Sequence, residues 1–183
     1  MITETLRIGA VELTLLRPRE PEGLLDEEAF ADDEFMPYWA ELWPAGLALA
    51  AALPDDLTGV RVVELGCGLG VPSLVAAARG AEVAAVDWAD DAIELLRDNA
   101  ARNSLVLEAV HADWRSFDGT FDLALAADVL YEARNVEPLV RLLPRLAPEA
   151  LVALAGRPYE EEFLQRVNSE PVAERVVRIT PRT

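Results

Sequence analysis

VRVVELGCGLG, residues 60–70, joins a short apolar run to a cluster of glycines. The run Val60–Val63 is rich in β-branched residues and predicts a buried strand. Residues 71–79 predict a helix, with Pro72 in the first turn, where a missing N–H is tolerated. A strand, a glycine-rich turn and a helix in this order form the anion- and nucleotide-binding corner of many α/β sheets, because glycines let the backbone approach a ligand closely.

The spacing of the glycines narrows the class of nucleotide. Gly66, Gly68 and Gly70 follow a G-x-G-x-G pattern, and Val71 stands where the dinucleotide fingerprint G-x-G-x-x-G has its third glycine. A second apolar strand ends in Asp87, roughly 20 residues past the turn, where a ribose-binding acid is expected. Taken together, these features favour a nucleoside-bearing ligand over a simple tight turn and a helix cap, and they disfavour a dehydrogenase.

The composition limits the class of partner. The chain has 183 residues, enough for one domain with a full core, and its formal net charge is -17. This acidity argues against nucleic acid as the main partner, because affinity for phosphates comes from basic side chains. It favours basic ligands such as lysine-bearing protein segments, although solubility or a saline habitat explains the charge at least as well. Every basic residue apart from His111 is an arginine.

Metal sites, disulfides and membrane segments are not expected. Cys67 is the single cysteine, so no internal disulfide forms, and we interpret it as a small residue in a tight turn rather than as a nucleophile. No cysteine and histidine cluster has metal-ligand spacing. The first residues lack the pattern of a signal peptide, and no apolar run is long enough to cross a membrane. A cytoplasmic protein without a membrane partner is therefore expected.

The first 58 residues are expected to precede the ligand-binding core, residues 59–183, within a single domain. Partial alternation over Thr5–Leu16, with a turn at Gly9-Ala10, predicts a hairpin. The acidic stretch Leu24–Phe35 predicts a solvated loop or frayed helix, or alternatively a flap that meets a basic substrate.

An aromatic run follows the acidic stretch. Pro44 is expected to open a helix over Ala45–Leu53, which Pro54 ends. Trp39 and Trp43 lie four residues apart, a spacing that places two side chains on one helical face. Such a pair either packs against the sheet or leaves one ring, that of Trp43, as a wall of the ligand pocket, where an aromatic face suits a sulfonium or a purine.

Strands and helices alternate along the rest of the chain. This order implies parallel βαβ units in a doubly wound sheet with helices on both faces, a three-layer α/β/α fold with the hairpin as an extension. Ligands of such sheets bind beyond the carboxyl ends of the strands. The predicted elements after the glycines are helix 71–79, strand 82–87, helix 90–103, strand 105–110, strand 121–127, helix 136–146, strand 151–155, helix 159–167 and strand 172–179.

Two further acids follow predicted strands. Asp113 precedes Trp114, and a carboxylate beside an aromatic ring suits an exocyclic amino group and a purine face. Asp128 follows the strand that ends at Ala127, where an unpaired buried carboxylate is costly unless it meets solvent, a ligand or a donor. Turn formation or capping of the next helix remains an alternative for both acids.

These motifs together resemble the seven-strand S-adenosylmethionine-dependent methyltransferases. Two narrower motifs, PYWAELWPAG at residues 37–46 and DVLY at residues 128–131, look like the family-16 protein-lysine methyltransferases. The Tyr-Trp…Trp-Pro-x-Gly run is most similar to the branch that methylates the electron-transfer flavoprotein β subunit. The resemblance covers about residues 36–146 and implies a Rossmann-like methyltransferase fold, with S-adenosyl-L-methionine as the cofactor and S-adenosyl-L-homocysteine as the product.

The resemblance also implies roles in cofactor binding. Gly66, Cys67 and Gly68 would pass under the methionine part, Gly70 would shape the turn, and Asp87 would hold the ribose hydroxyls. The complete implied set is Trp43, Glu64, Gly66, Cys67, Gly68, Gly70, Asp87, Trp88, Asp113, Trp114 and Ala127.

The remaining members of that set would surround the two ends of the cofactor. Trp88 would lie beside the adenine, Asp113 would take its amino group, and Trp114 would lie next to it. Trp43 and Ala127 would line the methionine end. No metal ligand is implied.

Asp128 and Tyr131 match the Asp-x-x-Phe/Tyr/Trp signature that the family places at the substrate nitrogen, and they are the implied catalytic residues. The first hypothesis is methyl transfer to a protein lysine side chain. The alternatives are a methyltransferase for a small molecule, through an amine or a pyridine nitrogen, and a cofactor-binding protein without catalysis.

One feature departs from the family pattern. After Ala155 the sequence predicts a single strand, 172–179, where the superfamily usually has an antiparallel pair. Either residues 171–180 contain two very short strands, or one strand is missing.

Overall fold

The computed structural model describes residues 1–19 and 38–181. The acidic stretch Leu24–Phe35, predicted as a loop, helix or flap, lies outside the described residues, and so does the beginning of the aromatic run.

The centre of the fold is a seven-stranded sheet with the order β5-β4-β3-β6-β7-β9-β8. Strands β5, β4, β3, β6 and β7 are parallel, and β9 is antiparallel to both β7 and β8. The strands are β3 (Arg61–Leu65), β4 (Glu82–Asp87), β5 (Glu108–His111), β6 (Leu123–Ala127), β7 (Ala150–Ala153), β8 (Asn168–Ala173) and β9 (Val176–Thr180).

Helices cover both faces of this sheet, which confirms the predicted doubly wound α/β fold. The helices are α1 (Pro44–Ala52), α2 (Val71–Ala78), α3 (Asp90–Arg102), α4 (Val136–Leu146) and α5 (Glu160–Arg166). Leu49, Leu74 and Leu96 bring α1, α2 and α3 into one apolar core. Leu139 and Phe163 bring α4 and α5 into a second core on the opposite face. The parallel strands are apolar on both faces because both faces are buried.

Strand β3 lies where the direction of chain winding reverses. It pairs with β4 on one side and with β6 on the other. The chain moves outward from β3 through β4 to β5, and then returns to place β6 beside β3. The loops after β3 and β6 therefore leave the same sheet edge in opposite directions and open a crevice, the usual ligand position in such sheets.

The predicted N-terminal hairpin is confirmed. Strands β1 (Ile2–Ile8) and β2 (Val11–Arg17) pair around the turn at Gly9-Ala10. The outer edge of β2 is completed by α3 rather than by another strand. The side chain of Asn99 accepts from the N–H of Leu16 at 2.7 Å and donates to its C=O at 2.9 Å. Asn103 makes the same pair of bonds to Thr14, at 2.8 and 2.9 Å.

Of the two alternatives left open after Ala155, a missing strand is wrong: two strands are present where the sequence pattern predicted only strand 172–179. Strands β8 and β9 form an antiparallel pair, and β8 begins at Asn168, ahead of the predicted region. All six residues of β8 are exposed, so its sequence lacks the apolar alternation that identifies a half-buried strand. The turn between the two strands places the non-glycine residue Arg175 at a φ of 62°, which standard turn signals do not predict.

The prediction that Trp39 and Trp43 share a helical face is also wrong. Trp39 lies in a short 3-10 turn, Tyr38–Ala40, and Trp43 immediately precedes α1 with an extended backbone. A residue before proline is driven out of the helical region by the proline ring, so Pro44 ends the turn and starts a new helix. In the described part of the chain, no helix is long and apolar enough to span a bilayer.

Replacing Asn99 by alanine should lower the free energy of unfolding by about 2 to 3 kcal/mol, because it leaves the N–H and C=O of Leu16 without partners. Denaturant unfolding of Asn99→Ala and of the control Asp98→Ala, an exposed residue of the same helix, measures this effect. Equal unfolding midpoints for the two variants would contradict the docking role of Asn99.

Candidate functional site

The glycine loop between β3 and α2 is held from two sides. Gly66 has a φ of 65°, and a Cβ there would lie 3.1 Å from Cγ1 of Val129 in the loop after β6. Gly68 has a φ of 50°, and a Cβ there would lie 3.1 Å from the backbone oxygen of Trp39. Side chains are strained at these φ values, so both glycines are required by the backbone and by their neighbours. The loop is thus packed between the aromatic turn and the end of β6.

The carboxylate of Asp87 links the end of β4 to this loop. It accepts a bond from the N–H of Gly68 at 2.8 Å and another from the N–H of Ala89 at 3.0 Å. Burial raises the pKa of the carboxyl group despite these donors. Each oxygen keeps a lone pair that a hydroxyl group could use. Trp88, the next residue, is 47% exposed, and its C=O lies 2.7 Å from Nε2 of His111.

Glu64, near the end of β3, and Cys67, in the glycine loop, are both interior residues. The Glu64 carboxyl group accepts bonds from the N–H and hydroxyl of Ser73, in the first turn of α2, and burial raises its pKa to about 8. Burial also raises the pKa of the Cys67 thiol, which leaves it a poor nucleophile. These two positions therefore shape the loop from inside: Glu64 contacts α2, and Cys67 fills the turn.

Asp113 and Trp114 occupy a 3-10 turn after β5. The Asp113 carboxylate accepts bonds from the backbone N–H and from Nε of Arg115, both at 2.9 Å, and this pairing lowers its pKa. Trp114 is buried, and its indole ring lies 3.7 Å from the Cβ position of Gly66. The structure places Trp114 underneath the glycine loop in the core, and it places Asp113 at a turn cap.

Asp128 directly follows β6 and has a left-handed conformation with a φ of 52°. Its N–H donates to the C=O of Ala153 on β7, and its carboxylate forms a two-bond ion pair with Arg157. The distances are 2.7 Å from Nε and 2.6 Å from an Nη, and only 6% of the Asp128 side chain is exposed. A planar guanidinium matches a carboxylate in this geometry, so the pair is strongly oriented.

Arg157 was missed by sequence reasoning, although a signal was present. It follows β7, and the carboxyl ends of parallel strands are where ligand-binding residues gather. Glu160 holds the backbone ahead of Arg157, because its carboxylate accepts from the N–H groups of Ala155 and Gly156, at 2.6 and 3.0 Å. Asn135 plays a similar part for the other side of the site by donating to the C=O of Val129 at 2.8 Å.

Three aromatic rings contact one another in a row that reaches Arg157 through Trp43; we call Tyr38, Trp43 and Tyr131 the aromatic cluster. The Tyr38 ring lies 6.0 Å from that of Tyr131 and 6.5 Å from that of Trp43, between centroids. The Arg157 guanidinium lies 5.6 Å from the Trp43 ring centroid. Trp43 is fixed by a 2.8 Å bond from its indole N–H to the C=O of Tyr38.

Tyr131 is the exposed member of the loop after β6. Its ring is 37% exposed, and partial burial together with the nearby charge of Glu132 raises the pKa of its hydroxyl. Ala127, immediately before Asp128, is partly buried at the end of β6. The structure thus brings Trp43, Ala127, Asp128 and Tyr131 to one side of the glycine loop. Asp87 and Trp88 lie on the other side, at the end of β4.

The residues present fit an adenosyl sulfonium. The Asp87 carboxylate suits a ribose diol, the exposed Trp88 ring suits an adenine face, and the glycine loop offers backbone without side chains between them. In the described residues, no group of histidine, cysteine and acidic side chains is arranged to hold a metal ion.

Comparison with known proteins agrees with this geometry. Residues 32–170 match the family described as lysine methyltransferase. The chain belongs to the lysine methyltransferase family. Membership confirms the predicted resemblance and, with the fold, places the chain in the class of S-adenosylmethionine-dependent methyltransferases, with the cofactor that this class uses.

The curated proteins that are similar to this chain methylate different kinds of molecule. The electron transfer flavoprotein β subunit lysine methyltransferase of Xenopus laevis is 33% identical over 74% of the chain and 56% of its own length. A 23S rRNA uracil methyltransferase of Halomonas elongata is 32% identical over 91% of the chain, but over only 29% of its own length. The chain spans about half of the length of most curated relatives it matches.

A solved structure confirms the fold. The 16S rRNA methyltransferase of T. thermophilus in complex with AdoMet and guanosine has a TM-score of 0.69 and 22% identity. The match covers 99% of this chain and 50% of that chain. At this identity the likeness concerns the fold alone.

The buried carboxyl group of Glu64 makes stability depend on pH. Its pKa is about 8 in the folded protein against an ordinary 4.5. Between these values the folded state holds a proton that the unfolded state has released. The contribution of Glu64 to stability is therefore full below pH 4.5 and is lost as the pH rises through about 8.

Glu64→Gln removes this titration, so between pH 4.5 and about 8 the free energy of unfolding should fall less steeply in the variant than in the wild type. The difference in slope approaches about 1.4 kcal/mol per pH unit. Denaturant unfolding at a series of pH values measures it, with Glu94→Gln, an exposed residue of α3, as the control. Parallel pH profiles for wild type and Glu64→Gln would show that Glu64 ionises normally.

Proposed function

We propose that this chain transfers the methyl group of S-adenosylmethionine to a lysine side chain of a protein. The observation that carries the proposal is the short distance between the two halves of the crevice. Val129, next to Asp128, contacts the glycine loop at the Cβ position of Gly66, 3.1 Å away. A carboxylate suited to a basic acceptor and a loop suited to the cofactor therefore meet at one sheet edge.

In this proposal the glycine loop and the end of β4 bind different parts of the cofactor. The backbone of Gly66, Cys67 and Gly68 passes under the methionine part, Asp87 receives the ribose hydroxyls, and Trp88 covers the adenine. When bound, the sulfonium cofactor supplies an electrophilic methyl group. Asp113 and Trp114, which cap a turn and fill the core, support the adenine side through the shape of the loop.

The acceptor side has to deliver a neutral amine in line with the methyl group. Asp128 would orient the amine through one of its protons while another is lost to water. The aromatic cluster would wall the approach, and Tyr131 would exclude water beside the nitrogen. Most of the acceleration would come from positioning in a partly dry site, since the displacement forms no covalent bond to the protein.

The charge of the chain supports a basic protein partner over a nucleic acid. A formal net charge of -17 repels phosphates and attracts lysine-rich segments during encounter. Within the site, the Asp128 carboxylate already binds one cationic side chain, that of Arg157.

Asp128→Asn should abolish methyl transfer while it preserves cofactor affinity. Asparagine tolerates the left-handed backbone of residue 128, so this variant removes the charge without straining the turn. Transfer is measured with a methyl-labelled cofactor and a lysate of the source cells, and labelled bands are examined by mass spectrometry for methyl-lysine. Asp118→Asn, at an exposed acid, is the matched control and should transfer at the wild-type rate.

The same assay separates the alternatives. Label in small molecules rather than in protein would replace the lysine acceptor by a small amine. No transfer, combined with thermal stabilisation by S-adenosylhomocysteine, would indicate a cofactor-binding protein without catalysis. Loss of cofactor affinity in Asp128→Asn would move this residue to the cofactor side.

Asp87→Asn should weaken the binding of S-adenosylhomocysteine by about tenfold or more, since a charged acceptor for two hydroxyl groups becomes a neutral amide. Isothermal calorimetry measures the affinity, and Asp91→Asn, at an exposed position of α3, is the control. Unchanged affinity in a folded Asp87→Asn variant would place the ribose elsewhere.

A further inference from the structure

The carboxylate on the acceptor side of the site is paired with a cation of the chain itself. Arg157 covers Asp128 with two bonds of 2.7 and 2.6 Å, and it is the more exposed partner, with 35% of its side chain accessible against 6% for Asp128. A group that arrives from solvent therefore meets the guanidinium before it meets the carboxylate. The guanidinium also lies over the Trp43 ring, 5.6 Å from its centroid.

We propose that Arg157 determines acceptor specificity by occupying the place of the acceptor's cationic group, so that an acceptor binds by displacing it. The inference rests on the proposed function, since it assigns the acceptor side of the same site. The acceptor class that follows is a side chain or molecule with a compact positive charge, such as a lysine ammonium. Neutral acceptors have nothing to exchange for the guanidinium.

The chemistry of the surrounding residues is that of a cation site. Asp128 supplies a carboxylate that is shielded from solvent, and Trp43 supplies a ring face over which the Arg157 guanidinium lies, because aromatic rings attract cations through their quadrupoles. Tyr38 contributes to both ring contacts of the aromatic cluster and so connects Tyr131 to the Trp43 ring that Arg157 covers. The place that the guanidinium occupies, between the Asp128 carboxylate and the face of the Trp43 ring, suits an ammonium ion or a methylated ammonium ion.

The displacement needs movement of the Arg157 side chain only. The backbone before it is anchored, because Glu160 accepts the N–H groups of Ala155 and Gly156. The guanidinium itself is at the end of a long and partly exposed side chain, so it can exchange one set of partners for solvent. The anchored backbone returns it to Asp128 when the acceptor leaves.

An arginine suits the role of an internal substitute. It stays protonated under all ordinary conditions, and the nitrogen lone pairs of a guanidinium are delocalised over the cation, so none is available to attack a methyl group. The Asp128 partner holds the pKa of Arg157 above its ordinary value, which makes this protonation more secure. The substitute thus fills the site without competing as a methyl acceptor.

The test measures cation binding without any methyl transfer. The 183-residue chain, labelled with 15N, is titrated with tetramethylammonium chloride. The indole N–H signal of Trp43, assigned with Trp43→Phe, reports binding. Sodium chloride at equal ionic strength corrects for screening. Arg157→Ala should bind tetramethylammonium about tenfold more tightly than wild type, because the competing cation is gone. Arg157→Gln, which retains length and polarity, should behave in the same way.

Three further variants test whether tighter binding results from removal of the cation at Asp128. Arg157→Lys keeps a competing cation and should bind as weakly as wild type. Asp128→Asn combined with Arg157→Ala should lose the gain, because the carboxylate is absent. Arg141→Ala makes the same change in net charge at an exposed arginine of α4 and should match wild type.

Equal or weaker binding in both Arg157→Ala and Arg157→Gln, with their thermal unfolding unchanged, would overturn the proposal and make Arg157 a fixed partner of Asp128. The expected pattern of binding supports the proposal even in a protein that transfers no label, so failure of the lysine assay and failure of this inference are distinguishable.

Discussion

Parallel hydrogen bonding on both sides of β3 is the constraint on which the site depends. β4 and β6 pair with the same strand, so the residues that follow the three strands are brought within a few ångströms of each other although they are far apart in sequence. The glycine loop leaves β3, Asp87 ends β4 and Asp128 follows β6. Val129 and Trp39 then confine the glycine loop from opposite sides.

Three carboxyl groups near this sheet edge show how the partner of an acid determines its chemistry. Glu64 is satisfied by a serine inside the fold and is driven towards its neutral form. Asp87 is satisfied by backbone N–H groups and keeps lone pairs for hydroxyl groups. Asp128 is satisfied by a guanidinium at the surface, and this partner can be exchanged for another cation. A buried charge always requires a partner, and each of these partners suits a different task.

The elements that were predicted correctly are specified by residues close to one another in the sequence. Helix α4 and strand β4 have the predicted bounds, because apolar periodicity and flanking turn residues specify them within a short window. The elements that were predicted wrongly depend on distant contacts. β8 is exposed on both faces and exists because β9 offers it a hydrogen-bonding edge. β5 begins at Glu108, three residues later than predicted, because its extent is set by pairing with β4.

The amino-acid sequence by itself determined the alternation of strands and helices, the glycine turn with its positive φ angles, and the acids at the strand ends, because these follow from neighbours in the chain. Tertiary structure alone decided which partner each acid has. Arg157 is 29 residues from Asp128, and only the adjacent positions of β6 and β7 in the sheet bring the two side chains together. The separation of Glu64 from the open side of the loop and the burial of Trp114 have the same origin: packing around the sheet, rather than residue type, decides which side chains face solvent.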